Sequence, residues 1–234
     1  MARVIEQSEE TRKAFYGFVD QKRAAAAQEH RARTAEGMGL LFFVLGPLAE
    51  ALHRRRVRRL EQQGASGERE LTMALKRRLP RTFALLPNVV ITLPNGTAAE
   101  LDLVVIGASG VYIVEVKTWA GAIQVVGDRF LRREGQNWRR LASPARQQTL
   151  HLRRLTALLA EAGVRLPAGR LYPLVVLLGT RWLRVTDPCY PVLDRPSQVA
   201  RTIRGMDAGQ EPLPPDLLVR LEELLLAGRV APSP

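Results

Sequence analysis

Asp102, Glu115 and Lys117 stand in the pattern D-x12-E-x-K. Asp102 lies inside the apolar run 101–106, and Glu115 and Lys117 close the run that starts at Val111. The two-residue period of a strand puts Glu115 and Lys117 on one face and Val116 on the other. Gly107 and Gly110 lie between the runs, and a hairpin there would set Asp102 beside Glu115. Two carboxylates converging on one point bind a hard divalent cation through oxygen. Such a cation polarises a phosphodiester and acidifies a bound water, while a neighbouring lysine offsets charge in the transition state. E-x-K also occurs by chance, and taken alone Glu115 and Lys117 read as a surface ion pair. Acids inside apolar runs are harder to read that way, because a buried carboxylate needs a partner. A metal supplies that partner, and so does a structural Asp–Lys pair. Glu68, at the start of a preceding helix, can add a third carboxylate, and Gln147, on a following helix, can hydrogen-bond water or phosphate.

The metal follows from what is scarce. The chain has three histidines (His30, His53, His151) and one cysteine, Cys189, so a site would be oxygen-rich and suited to Mg²⁺ or Mn²⁺. A single cysteine excludes an internal disulfide and a cysteine-built zinc site, and agrees with a cytoplasmic location. With 234 residues, 46% of them hydrophobic and 6% aromatic, the chain can hold one ordinary domain plus an appendage around a core of Leu, Val, Ile and Ala. The formal charge of +12 favours a polyanion such as nucleic acid, or an anionic membrane face. An arginine-rich genome would produce the same charge without any such partner.

The elements that must hold these residues are readable by period. A helix is expected over 68–79, with Leu71, Leu75 and Leu79 on one face and Pro80 at its end. Runs at 89–93, 101–106, 111–117 and 123–126, with turn signals such as Pro94-Asn95-Gly96, predict an antiparallel meander. A helix over 144–162 follows, with Leu150, Leu155, Leu158 and Leu159 as its apolar face. Then comes a strand at 171–179 of the kind buried on both faces, and helices at 197–204 and 215–227. Together these make an α/β or α+β sandwich: a mixed sheet flanked by helices. Residues 1–62 read as an N-terminal helical extension, 62–67 (QQGASG) as a linker, and 63–234 as the main domain with its C-terminal helices. Residues 38–49 form a 12-residue apolar segment followed by five arginines, too short for the roughly 20 residues of a spanning helix. A buried or self-associating helix and a peripheral membrane anchor both remain open for it.

At these residues the sequence resembles the nuclease-related domain (NERD) family of the PD-(D/E)XK, restriction-endonuclease-like superfamily. The likeness runs from GERELTMALKRRLP (67–80) through AELDLVVIGASGVYIVEVKTWAGAIQV (99–125) to SPARQQ (143–148). It implies a restriction-endonuclease-like core in which Asp102 and Glu115 bind metal, Lys117 is catalytic, Glu68 is the helix acid and Gln147 the helix glutamine. Two departures are visible: Glu100 stands where members commonly have Gln, and Leu103 where a His often follows the Asp.

Between Asp128 and Arg154 eight arginines face only two acids, Asp128 and Glu134. Arg132, Arg133, Arg139, Arg140 and Arg146 are candidate phosphate contacts, with Trp119 and Trp138 nearby. A solvated helix face is the plain alternative for the arginines, and core packing is the favoured reading for both tryptophans. The expectation is therefore a Mg²⁺-dependent nuclease acting on DNA, with RNA open, in DNA processing, repair or defence. A catalytically weak nucleic-acid-binding module and a membrane-associated or self-assembling protein are the competing readings. The sequence carries no dimer signature, although cleavage of two strands would call for two active sites, as a homodimer would supply. The chain shows no nucleotide-binding loop, helix-turn-helix or zinc module.

Overall fold

The computed structural model describes residues 1–34 and 66–229. Its β-branched and leucine-rich runs form a mixed eight-stranded sheet. The strands are β1 (Arg3–Val4), β2 (Ala84–Thr92), β3 (Ala98–Ile106), β4 (Val111–Val126), β5 (Arg129–Glu134), β6 (Asn137–Leu141), β7 (Leu171–Thr186) and β8 (Val192–Leu193). The helices are α1 (Glu9–Thr34), α2 (66–78), α3 (Pro144–Glu161), α4 (Pro196–Ala208) and α5 (Pro215–Ala227). β2 to β6 form an antiparallel meander, in which β2, β3 and β4 were expected and the hairpin β5–β6 was not, and β7 pairs in parallel with β4 after the α3 crossover. Leu155, Leu158 and Leu159 of α3 and Leu221 and Leu225 of α5 pack on one face of the sheet. Leu71 and Leu75 of α2, with Val199 and Ile203 of α4, cover the other.

β4 decides where a site can be. β7 takes one of its edges from Val111 to Val126. On the remaining edge β3 pairs only as far as Val114, and β5 begins only at Ile123. Residues 115–122 are left without a strand on that side, so backbone groups there must find other partners.

Several expectations change in detail. The runs 111–117 and 123–126 are one continuous strand, not two. A bulge between Thr118 and Ala122 bends it, and Gly121 absorbs the bend at φ 96°, where a side chain would be strained. The helix face read from Leu150 is also corrected: Leu150 is 44% exposed, whereas His151 next to it is 5% exposed and faces inward. The hairpin β5–β6 carries an arginine stretch that had been weighed as a helix face. α2 starts at 66, inside the expected linker.

The N-terminal segment packs on the sheet. β1 adds to β2, and the buried Gln7 side chain bonds to Val90 and to the Leu225 carbonyl. The apolar segment 38–49 lies outside the described residues. Among the described residues no helix is long and apolar enough to cross a membrane.

Gln148 joins the two central strands from above. Its buried amide donates to the carbonyls of Ile113 on β4 and Leu174 on β7. Gln148→Ala should cost about 2 kcal/mol of unfolding free energy, because buried carbonyls lose their donor. Urea denaturation checks this, and an unchanged midpoint would assign those carbonyls adequate partners elsewhere.

Candidate active site

The site forms where β3 leaves β4. The ladder register pairs Leu103 with Val114, so Asp102 and Glu115 are the next opposed positions, just past the last bridge. In the gap, the Asp102 carboxylate accepts a 2.7 Å hydrogen bond from the Val116 N–H and so stands in for the absent strand. Across β3, the β2 ladder skips the position opposite Asp102, where Asn88 adopts φ 51°. The alternation changes there too: Leu86 and then Val89 face the same core, as do Val104 and Leu101. The pleat is therefore broken at Asn88 and Asp102 together, as is common where a sheet serves a site.

Glu115 is wholly buried. Its Oε1 lies 2.5 Å from Lys117 Nζ and its Oε2 3.3 Å from His151 Nδ1. Both buried oxygens are thus held by charged or polar neighbours at ion-pair distance without a regular hydrogen bond. α2 brings the third acid. Gly67 sits where a Cβ would lie 2.2 Å from Thr118 Oγ1, and this close approach sets Glu68 at the opening. Burial, and then the charge on Glu115, push the Asp102 carboxyl from 3.8 up to about 8, against the pull of Lys117. Burial, followed by Glu100, raises the Glu68 carboxyl as well. Burial alone would lower the lysine, but Glu115, Asp102 and Glu68 outweigh it and hold Lys117 above its ordinary range. Three acidic groups thus share one ammonium, and the site is short of positive charge.

A cleft of about 750 Å³ is lined by Asp102, Glu68 and Glu100, whereas Glu115 and Lys117 do not line it. α3 supplies Gln147, His151 and Arg154 to it, and α1 supplies Arg12, Phe15 and Tyr16. Tyr16 donates a 2.8 Å hydrogen bond to Glu100. Asp102, Glu115, Lys117 and Glu68 are therefore brought together as expected from the sequence, with Gln147 on the same wall. Arg132, Arg133, Arg139 and Arg140 are not. They lie on the β5–β6 hairpin, which joins β4 from Ile123 onward, eight positions past Glu115 and so roughly 26 Å along an extended strand. Arg146, at the start of α3, is bound to Asp128 at 2.6 Å. Trp138 is corrected from core to surface at 40% exposure, while Trp119 packs edge-on against Phe130.

The sequence reading missed His151, Arg154, Arg12 and Tyr16 as cleft residues. His151 had a usable signal, since it follows Gln147 by four positions on one helix and shares its face. Arg12 and Tyr16 had none, because α1 meets Glu100 across 84 residues of chain. The adjacent glutamines now separate. Gln147→Ala should leave stability unchanged, since the residue is exposed, and reduce catalysis roughly tenfold as a lost polar contact to water or phosphate. Thermal melts beside single-turnover rates test this, and a destabilised variant with full activity would reverse the assignment.

The donor set can be tested for a metal. Among the described residues no three His, Cys, Asp or Glu side chains form a ready-made metal group. Mg²⁺ can bind through one or two carboxylates completed by water and substrate phosphate, and Asp102 and Glu115 supply two such groups. In the metal-free fold the Glu115 oxygens face Lys117 and His151 instead, with Asp102 opposed to them.

A mixed, helix-flanked sheet with an acid–acid–lysine cluster at a strand fork defines the restriction-endonuclease-like class. Residues 63–178 match the family model of the nuclease-related domain, so the chain carries that domain. No curated protein matches the chain. No solved structure matches it.

Proposed function

We propose that the chain is a Mg²⁺- or Mn²⁺-dependent nuclease that hydrolyses phosphodiester bonds in DNA, in DNA processing, repair or defence. One observation carries the reading: Glu115, fully buried and short of hydrogen bonds, is opposed by Asp102 and touched by Lys117. Asp102 and Glu115 would hold the ion, with Glu68 beside them. When bound, a divalent ion supplies Lewis-acid activation of the phosphodiester and of the attacking water. The chain's own groups do the rest. Lys117 remains an ammonium at neutral pH, so it acts as a donor and counter-charge to the phosphate and not as a base. Gln147 orients water or a phosphate oxygen from α3, and Arg12 and Arg154 offer charge to the backbone from opposite walls of the cleft.

The test is cleavage of plasmid and single-stranded DNA by wild type and Asp102→Ala, with Mg²⁺, Mn²⁺ or EDTA. Cleavage that needs the metal and is lost in the variant is expected. A folded wild type that cuts neither substrate with either metal would refute the reading and favour a binding module.

A further inference from the structure

The five arginines of the sequence reading divide into two groups on opposite sides of the sheet. Arg132 and Arg139 are ion-paired with Glu134, and Arg146 with Asp128. Arg133 and Arg140 belong to the other face of the hairpin, because side chains alternate along a strand. The register identifies what shares that face. Trp182 of β7 pairs with Ala122 of β4, and Arg133 of β5 pairs with Trp138 of β6. Ile123 pairs with Arg132, so Ala122 and Arg133 are the next opposed positions, and one row crosses four strands. The neighbouring row runs from Arg184 through Gln124 and Leu131 to Arg140. The small Ala122 in the middle lets the two tryptophans meet, with ring centroids 6.2 Å apart and planes tilted by 43°. They are not stacked, and they remain 40% and 47% exposed. Ile123, Val125 and Phe130, on the opposite face, are fully buried, so this wing has a true inside and outside. Among the described residues Arg133, Arg140 and Arg184 form no ion pair with a carboxylate.

Two exposed indoles framed by three arginines answer a ligand with exposed aromatic faces and a polyanionic backbone. Unpaired nucleotides have both, whereas a duplex hides its base faces within its own stack. We propose that this outer face of the β7-β4-β5-β6 wing is a platform for single-stranded nucleic acid, with Trp138 and Trp182 stacking on bases and Arg133, Arg140 and Arg184 on phosphates. The inference rests on the reading of the chain as acting on nucleic acid, and it gives that reading a substrate class. The platform begins seven positions past Glu115 on the same bent strand, at most roughly 23 Å away, a span suited to a site of several nucleotides.

Binding of fluorescent 16-nucleotide oligo-dT, oligo-U and a blunt duplex to the full chain in EDTA tests the platform apart from cleavage. Single strands should bind at least tenfold tighter than the duplex and quench the tryptophan emission. Trp138→Ala with Trp182→Ala should weaken single-strand binding on the order of tenfold or more, and the double Phe variant should retain it. Arg133→Ala with Arg140→Ala should lower the salt slope of binding by about 1.4, whereas Arg132→Ala with Arg139→Ala should not. This arginine comparison also decides the matter if the double Ala variant fails to fold. Equal affinity for the duplex, or binding indifferent to both the tryptophans and Arg133/Arg140, would overturn the platform. So would a wild-type dimer that the double Phe variant preserves and the double Ala variant dissolves, since a second copy would then be the occupant. A single strand held tightly in EDTA, with neither it nor plasmid cut once Mg²⁺ or Mn²⁺ is supplied, would uphold the platform while refuting the catalytic reading.

Discussion

Lys117→Ala should slow phosphodiester cleavage by about 10²- to 10³-fold or more, measured in single turnover with saturating Mg²⁺. The argument starts from position. Lys117 is the cation touching the fully buried Glu115 at 2.5 Å, and the acids around it hold it protonated above its ordinary range. Its ammonium is thus available, without reorganisation, to the charge that builds on phosphate in the transition state. Lys117→Arg should recover little, because a planar fork cannot occupy the place of a compact ammonium beside a buried carboxylate. The same substitution has a structural cost. Removing Lys117 leaves Glu115 buried with only His151 in contact, and breaking a buried pair from one side costs about 3–5 kcal/mol. Glu115→Gln combined with Lys117→Met should therefore restore most of the stability while remaining inactive. A double variant as active as wild type would remove both residues from the mechanism.

Asp102→Asn should stabilise the metal-free protein at alkaline pH and abolish cleavage at the same time. Burial and Glu115 raise the Asp102 carboxyl from 3.8 in the unfolded chain to about 8 in the fold. The folded state therefore holds a proton that the unfolded state has released, and stability falls as pH rises between those two values. Below about pH 4 both states are protonated and nothing is gained or lost, and above pH 8 the full penalty applies. Without divalent ions the wild-type Tm should fall by about 5 °C or more from pH 5 to pH 9, and Asp102→Asn should flatten most of that fall. Mg²⁺ should raise the wild-type Tm more at pH 9 than at pH 6, since a cation and a proton compete for the same carboxylates. Identical pH profiles for wild type and Asp102→Asn would mean that the carboxyl titrates normally and that the site is not short of positive charge.

The candidate site was legible because strand geometry is local. An acid inside an apolar run, a glycine-bounded turn and E-x-K at the next strand end place Asp102 opposite Glu115 by the two-residue period and the hairpin register alone. α2 and α5 were legible for the same kind of reason: Leu71, Leu75 and Leu79 at helical spacing before Pro80, and Pro215 opening a leucine-rich helix. The nuclease-related family followed from the same short segments.

The tertiary structure decided what depends on neighbours distant in the chain. Whether 111–126 is one bent strand or two is set by β7, which pairs along it on both sides of the bulge at Gly121 of β4. Which edge of β4 stays open beside Glu115 is set by where β3 ends and β5 begins. His151 rather than Leu150 turns inward, because α3 is rotated by the sheet it covers, and the adjacent glutamines divide between an exposed cleft wall and a buried bond to β4 and β7. Which arginines meet acids and which meet tryptophans depends on strand pairing between β7, β4, β5 and β6, and composition carries no record of that. By itself the sequence determined the chemistry-bearing residues and the period of each element, since both are fixed within a few residues of chain. The open edge, the cleft wall from α1 and the tryptophan row arise only when segments up to 84 residues apart are brought together by burial of a shared core.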